Sequence, residues 1–566
     1  MDATKHTPLT LAEACKLISR FLKPEAGFVW TAVVYGIAVA LLGLAVPVSV
    51  QLLINSVANT ALPAPLFVLS GLLLGLLLAA ALLSAARIHV LALFERRVFA
   101  RTVADITLRA LHARNPHSAD AGRGDLFNRF FDLMTVQKAV PHLLVGGFAI
   151  LLQSGIGLVL TSFYHPFFLA FNLVAAAVLV GIAFLWAGPA VRSGVALSHA
   201  KHETARWLEI IGSSNGFHRH GGRLTTALAR SEALTSAYVQ SHRRHFRHTF
   251  AQAVGFLMVY AIASAGLLAM GGWLILQGQL SLGQLVAAEL VLSSAFYGIS
   301  QLGTHARTFY DLVASLHELS LFEGIEQADG DGWNGPGPAN GNLRLRDAEA
   351  DGLRFDFAVE NGEVLAVAAD EGVERTLAAL LERRIRPQRG WVIVGGADIA
   401  AFGAEALRSG ILVLDQSTLP ETSIREYMSA GDGACPVRIH GCLEQVGLAE
   451  RIRSLPYGLD TPLSASGSPL STDEAVALKL AAALLQPPKL VVLSVLLDLL
   501  PPDRVAVALA GFRAAGTTVL HVTHRPPMPV HDDLIRLGPH GYGRAAEREG
   551  RLEQAMPRER THAVAA

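Results

Sequence analysis

Six stretches of the chain, at about 28–54, 64–86, 139–161, 166–188, 250–276 and 282–304, are almost free of charge. Each is long enough to cross a bilayer, which takes about 20 apolar residues in a helix. Before them, residues 10–23 place Leu11, Ala14, Leu17, Ile18, Phe21 and Leu22 at helical spacing among Lys16, Arg20 and Lys23. This pattern predicts an amphipathic helix lying at the membrane interface and ended by Pro24. The connections 55–63, 161–165 and 277–279 are short and uncharged. The other two connections are long and basic, from Arg87 to Lys138 and from Arg192 to Arg247. Lysine and arginine accumulate on the cytoplasmic side, so both long connections, both termini and everything after residue 305 are expected there.

The long connections read as helices. Residues 87–112 and 190–212 are rich in Ala, Leu, Arg and Glu without an internal proline. At 1.5 Å per residue, 25 such residues carry a membrane helix about 37 Å into the cytosol. Each connection has a central break, at 115–124 and at Gly212 to Gly216 with Gly221 and Gly222. Residues 327–342 form a Gly/Pro/Asp linker. Beyond it, apolar strands alternate with helical segments, the pattern of an α/β domain. The divisions are therefore a lead helix at 1–26, a six-helix membrane domain at 27–326, the linker at 327–342, an α/β domain at 343–540 and a polar, disordered tail at 541–566.

Composition sharpens this. With 51% hydrophobic and 17% charged residues the chain is too apolar for an ordinary soluble enzyme. The formal net charge of zero says nothing about partners, because the charges are segregated along the chain. Three cysteines, Cys15, Cys435 and Cys442, suit reduced thiols facing a cytosol. The run Cys435 to Cys442 with His440 lacks a fourth ligand and the usual spacing of a metal site, and reads as loop. The first apolar run follows a long polar lead and exceeds a signal-peptide core, so no cleavable leader is expected. His218, His220, His242, His245 and His248, mixed with arginines, raise a metal site or a nucleic-acid or acidic-lipid patch. The simpler reading is a solvated cytoplasmic loop, with headgroup contact left open and no nucleic-acid partner.

The remaining motifs lie in the last third. Gly362-Glu-Val-Leu-Ala-Val-Ala368 runs into Ala369-Asp-Glu-Gly372-Val-Glu374-Arg375-Thr376. Further on come Leu414-Asp415-Gln416, Leu455-Pro-Tyr-Gly-Leu-Asp460-Thr461, Leu470-Ser471-Thr-Asp-Glu474, Leu490-Val-Val-Leu-Ser494-Val495 and Thr518-Val-Leu-His-Val-Thr-His524-Arg525. Laid in this order they resemble the ATP-binding cassette of a type I ABC exporter half-transporter. The first span, with Pro47, Gln51 and Ile54, is similar to the same family, as is the run 280–286. The resemblance covers nearly the whole chain. It implies six spanning helices with long cytoplasmic extensions, tipped by coupling helices at the two breaks, fused to an α/β cassette in the inner plasma membrane.

The resemblance also marks what is missing. A phosphate-binding loop needs glycines for backbone contact and a lysine for the terminal phosphates. Here Gly372 alone remains, Arg375 takes the lysine position and Thr376 the magnesium-ligand position, while Asp370, Glu371 and Glu374 crowd the loop with acid. One like-charge pair at ~5 Å costs about 3 kcal/mol at an effective dielectric of ~20. Micromolar binding is worth about 8 kcal/mol. Ser494 and Val495 replace the metal-binding aspartate and the catalytic glutamate, Pro501 a further aspartate, and Ser471 opens a signature without its two glycines. Gln416 and His524 keep the family's residues, and are expected to be retained as structure. These vestigial positions, Gly372, Arg375, Thr376, Gln416, Ser471 and His524, predict no ATPase and no catalytic residue, no metal, and no nucleotide held by this chain alone. ATP and Mg²⁺ enter only at a composite site supplied by a partner.

The expected role is the non-catalytic half of a heteromeric exporter, paired with an ATPase-competent ABC half-transporter in the lipid bilayer. A periplasmic adaptor or other export component is a further expected partner. Two alternatives stand: a membrane scaffold or regulator that keeps the exporter fold, and an active homodimeric exporter. Glu289, inside the sixth stretch, is the candidate pathway residue, because an ionisable group within a membrane is costly and usually faces a cavity or a partner.

Overall fold

The computed structural model describes residues 9–60, 64–114, 126–163, 165–214, 216–279, 282–328, 335–370, 372–429, 435–538 and 541–544. The break expected at 115–124, the acid Glu371, part of the linker and nearly all of the tail lie outside them. The chain divides into two compact units, residues 1–111 with 116–325, and residues 112–115 with 326–566.

The first unit is helical. It contains α1 (Leu11–Leu22), α2 (Ala26–Gly43), α3 (Ala45–Thr60), α4 (Ala64–Leu111), α5 (Asp132–His142), α6 (Phe148–Ser162), α7 (Pro166–Ser213), α8 (Arg223–Leu276) and α9 (Leu282–Ser320). Thr10 and Glu13 close a reciprocal capping box at the start of α1, which satisfies two backbone donors that a helix end leaves open. Among the described residues, five helical stretches are long and apolar enough to cross a membrane: Leu11–Ile54, Leu66–Leu111, Phe127–Ser162, Pro166–Ser213 and Arg223–Leu276. The sixth expected span falls on α9, whose first residues are only partly described. The extensions are continuous with the spans: α4 and α7 each have 48 residues and α8 has 54. At 1.5 Å per residue, 48 residues reach about 72 Å, more than twice the ~30 Å hydrocarbon core.

The lead helix α1 ends at Leu22, and Pro24 follows in a 3₁₀ turn, Lys23–Glu25, that leads into α2. Two local expectations are corrected. The apolar face of α1 is not laid on the membrane surface. Leu17, Ile18, Phe21 and Leu22 pack on a core of Phe94, Leu133, Val136, Leu312 and Leu316. The third span is not one regular helix either: α5 and α6 are joined by a π-helical turn, Leu143–Gly147. His305 of α9 lies against that turn, and a Cβ on Gly146 would stand 2.5 Å from its ring. The wide turn and the glycine give the imidazole its place. The second expected break is present, with α7 ending at Ser213, a 3₁₀ turn at Phe217–Arg219 and α8 starting at Arg223.

Buried charge ties these helices beyond their apolar stretches. Asp132 of α5 accepts from Lys201 at 2.7 Å and sits 2.6 Å from His202, both on α7. Glu318 of α9 is fully buried; it pairs with Arg129, next to α5, and with His199 of α7 at 3.1 Å. At the other end of the lead helix, buried Glu25 pairs with Arg97 at 2.9 Å and Arg101 at 3.4 Å.

The second unit is α/β. A four-stranded antiparallel sheet has the order β2 (Leu353–Val359), β1 (Leu343–Ala350), β4 (Arg389–Val394), β5 (Ala397–Asp398). A six-stranded sheet has the order β10 (Gly541–Arg544), β9 (Asp533–Gly538), β3 (Val364–Ala369), β8 (Thr518–Val522), β7 (Leu490–Leu493), β6 (Ile411–Leu414). From β9 to β6 its neighbours are parallel, and β10 joins antiparallel. Strands covered on both faces read as unbroken apolar runs, and all four residues of β7 are buried. The helices are α10 (Val373–Leu381), α11 (Ala404–Gly410), α12 (Ile424–Ser429), α13 (Pro436–Gln445), α14 (Ala449–Arg453), α15 (Thr472–Leu485) and α16 (Pro502–Ala514). The run from Cys435 to Cys442, read as loop, is the start of α13, and His440 there faces Glu444 at 3.2 Å. Among the described residues no group of three His, Cys, Asp or Glu is arranged to hold a metal.

Candidate functional site

In an open parallel sheet, the carboxyl ends of the strands are where ligands bind. Four of the segments singled out in the sequence meet there, because β3, β6, β7 and β8 deliver residues 369, 370 and 372–376, Asp415 and Gln416, Ser494 and Val495, and Thr523 and His524 to one edge.

The loop after β3 is closed on itself. Asp370 donates its N–H to the Leu537 carbonyl at 3.0 Å, and Val373 donates back to Asp370 at 3.1 Å. Gly372 has φ +87°, a left-handed conformation that glycine adopts without strain. From it α10 starts, and Thr376 returns both its N–H, at 3.3 Å, and its hydroxyl, at 3.4 Å, to the Gly372 carbonyl. The Thr376 hydroxyl thus serves its own helix, while Arg375 points to solvent. Glu374 turns inward. Burial pushes its carboxyl pKa up and neighbouring Asp415 adds to this, against the backbone N–H of Val495 and the charges of His524 and Arg375.

The other strand ends are tied to each other. Ser494 is buried and its hydroxyl accepts from the Leu496 N–H at 3.2 Å, capping the turn that follows. Asp498 accepts from the Thr523 hydroxyl at 2.6 Å and from the His524 N–H at 3.0 Å, so His524 is positioned by backbone with its side chain exposed. Lys479, on α15, donates to the Gln416 carbonyl at 2.7 Å. Burial lowers its pKa while Asp415 opposes that. Lys479, Asp415 and Asp498 were missed in the sequence, where the available signal was a charge set in an apolar run, as in Leu478-Lys479-Leu480.

Ser471 is brought to the N-terminus of α15 but not to the cluster around Glu374. Its hydroxyl accepts from the Glu474 N–H at 3.4 Å, the Glu474 carboxylate accepts from the Ser471 N–H at 3.0 Å, and Arg451 holds Glu474 at 3.1 Å. The Ser471 hydroxyl also donates to Asp473 at 2.5 Å. That hydrogen bond, against burial, leads in lowering the Asp473 pKa. A helix start is a ready anion site when its donors are open; two acids of this chain already occupy this one.

Glu289 belongs to the other unit. It is half-buried on α9, accepts from the Ser293 hydroxyl at 2.8 Å, and its Oε2 is buried without a partner among the described residues. A separate apolar cavity of about 720 Å³ opens among α6, α7, α8 and α9, with Ser154, Gln252, His305 and Tyr310 as polar points in a wall of Leu, Ala and Phe. The histidine cluster is not a solvated loop. His245 is buried against Ser193 at 3.1 Å, His218 packs edge-on against Trp207, and Tyr238, His242, Phe246 and Phe250 stack along the exposed side of α8.

No family model matches the chain. It is 26% identical over 324 residues to ATP-binding cassette sub-family B member 5 of Homo sapiens, covering 54% of this chain and 25% of that protein. To the beta-(1→2)glucan export ATP-binding/permease protein NdvA of Mesorhizobium japonicum it is 26% identical over 286 residues, 47% of this chain and 48% of the relative. To the toxin RTX-I translocation ATP-binding protein of Actinobacillus pleuropneumoniae it is 24% identical over 279 residues, 45% and 38%. The chain thus spans less than half the length of these curated relatives. A solved bacterial Atm1-family ABC exporter with ATP bound superposes with a TM-score of 0.78 at 18% identity, over 92% of this chain and 94% of that one. The fold is that of an ABC exporter half-transporter, a multi-pass membrane domain followed by a cassette-like α/β domain.

Proposed function

We propose that this chain is the non-catalytic half of a heteromeric ABC exporter, supplying half of the translocation pathway beside an ATPase-competent partner. The observation that carries the reading is the strand-end cluster. Its loop donates the Asp370 N–H to Leu537 and the Val373 N–H back to Asp370, and it brings Glu374 under the like charge of Asp415 where a polyphosphate would have to lie. Neither Ser494 nor Val495 offers a carboxylate to a metal or to water. These residues do not fit a magnesium-bound nucleotide, and no chemical step is derived through one. The full chain in detergent is expected to give no saturable Mg-ATP isotherm in the micromolar range by calorimetry, whereas a complex copurified from its native membrane hydrolyses ATP through the partner. A clean isotherm on the chain alone overturns the proposal in favour of an active homodimeric exporter.

The second reading, a membrane scaffold or regulator, is favoured by the self-capped start of α15, which would meet the partner's nucleotide poorly. Homodimers with no ATPase-competent partner in the native membrane would establish it. Glu289 tests the pathway itself. Its unpartnered Oε2 is expected to meet substrate or partner, so Glu289→Leu lowers export or pairing while membrane insertion stays at the wild-type level. Unchanged export and pairing in that variant exclude the role.

A further inference from the structure

The arginine and histidine cluster between α7 and α8 takes no part in the function proposed above. Just past the ends of the spans at 166–188 and 250–276, these helices enclose a pocket of about 220 Å³ lined by Arg192, Ser193, Ser241, Arg244 and His248, with Pro189 and Ala196. Arg192 lies about 6 Å beyond its span and Arg244 about 9 Å beyond the other, at 1.5 Å per residue, which is headgroup depth. Both guanidinium groups are exposed, and no carboxylate lines the pocket. The sequence explains why. It has no Asp or Glu between Asp132 and Glu203, nor between Glu232 and Glu289.

The cluster is built rather than scattered. His245 is fixed by Ser193 at 3.1 Å. The His248 ring lies 5.9 Å from Trp186, an indole at interface depth, and its Nδ1 is buried without a partner among the described residues. Indole rings favour the membrane–water boundary. At the next helical repeats toward the membrane interior, the same faces continue as Val178 and Leu185 on α7 and Met258 and Ile262 on α8, all exposed. Cationic and hydroxyl donors at headgroup depth thus sit directly below an exposed apolar ridge.

We infer that the pocket formed by Arg192, Ser193, Ser241, Arg244 and His248 binds the phosphate of an anionic glycerophospholipid, whose acyl chains lie along Leu185, Val178, Met258 and Ile262. Two guanidinium groups and the Ser241 hydroxyl match a phosphodiester, while Ser193, whose hydroxyl donates to Pro189 at 2.8 Å, forms the floor. Basic pockets between spanning helices on the cytoplasmic side are where such headgroups bind. The apolar ridge selects a lipid over a free anion.

The test uses the full chain in nanodiscs of phosphatidylcholine doped with phosphatidylglycerol, with the phospholipid retained after detergent extraction identified by mass spectrometry. Wild type is expected to retain phosphatidylglycerol in preference to phosphatidylcholine. Arg192→Ala/Arg244→Ala is expected to weaken that retention about tenfold or more. Arg243→Ala/Arg247→Ala removes the same charge from exposed positions outside the pocket and is expected to stay within roughly threefold, since solvent and salt screen such charges. Equal losses in the two variants, or no preference in wild type, overturn the inference. Displacement of the lipid by inorganic phosphate overturns it too, by showing a free-anion site. Thermal melting of both variants with and without phosphatidylglycerol gives a second reading: only the Arg243/Arg247 variant keeps the lipid-dependent rise.

Discussion

Two sets of buried charge do different work in this molecule. In the membrane unit, Asp132 and Glu318 each face a cation and an imidazole, Lys201 with His202 and Arg129 with His199. Burial alone would raise the Glu318 pKa; the hydrogen bond from His199 and the charges of His199, Arg129 and His202 outweigh it and bring it down to about 2. In the cassette-like unit, Glu374 sits by Asp415, and burial and that like charge move its pKa up. The first set is matched and fastens α5, α7 and α9. The second sits at the sheet edge, where Asp415 is shared with Arg384 at 3.6 Å and the like charge still bears on Glu374. Charge pairing that is complete marks a joint; at the sheet edge a raised carboxyl shows pairing that is incomplete.

Breaking the matched set should have the largest effect. Glu318→Gln keeps the shape but leaves Arg129 half-enclosed without its counter-charge, a change of the kind that costs about 3–5 kcal/mol. A large drop in the melting temperature of the full chain in detergent is expected, partly recovered in Glu318→Gln/Arg129→Gln. Unchanged melting of the single variant would show that the network is decoration.

Acid is expected to weaken both units next, through one buried histidine in each. His521, 1% exposed on β8, lies 3.1 Å from His531. Burial, then the neighbouring imidazole, lowers its pKa to about 4. Its folded pKa is below the unfolded value, so the unfolded chain takes up the proton first. Stability is full above about pH 6.5 and falls as pH drops toward 4, by on the order of 3 kcal/mol. In the helical unit, burial likewise lowers the pKa of His245 to about 4, and the stability from the depressed carboxyl of Glu318 is lost only as pH falls below its ordinary value of 4.5. Circular-dichroism melts between pH 7 and 4 should therefore show both units losing stability, and His521→Gln should flatten the dependence of the α/β unit alone. A helical unit whose acid dependence also vanishes in His521→Gln overturns this.

Much of this was legible in the sequence. Uncharged runs gave the spans, since lipid tolerates little else, and the glycines around 212–222 gave the break between α7 and α8. The apolar runs at Leu490 and Thr518 gave central parallel strands, and motif order gave the α/β fold. What was not legible depends on contacts between distant residues. Periodicity made α1 amphipathic but could not say that Leu312 and Leu316 cover it rather than lipid. The π turn at Leu143–Gly147 depends on His305, more than 150 residues away. The pairing of Glu318 with Arg129 spans 189 positions. At the candidate site, residue identities placed Gly372, Thr376, Gln416 and Ser471, but did not show that Thr376 serves its own helix, that Lys479 reaches Gln416, or that Ser471 and Glu474 cap α15.

The smallest expected effect belongs to the sheet-edge set. Glu374→Gln removes one of two neighbouring carboxylates and keeps a carbonyl oxygen that can accept from the Val495 N–H. Because the folded pKa of Glu374 is raised, its charged form opposes folding. That penalty is absent below the unfolded pKa and grows as pH rises through the folded one. The variant should accordingly be more stable than wild type at pH 7, by under about 1 kcal/mol because the group is half-exposed and screened, and the difference should vanish toward pH 4. The same substitution tests what the like charge means. If the carboxylate only occupies a vacated edge, Mg-ATP binding by the full chain stays absent in Glu374→Gln. A variant less stable than wild type at pH 7 would show that Glu374 is a structural partner of Val495, and the contrast with Glu318 would then be one of degree.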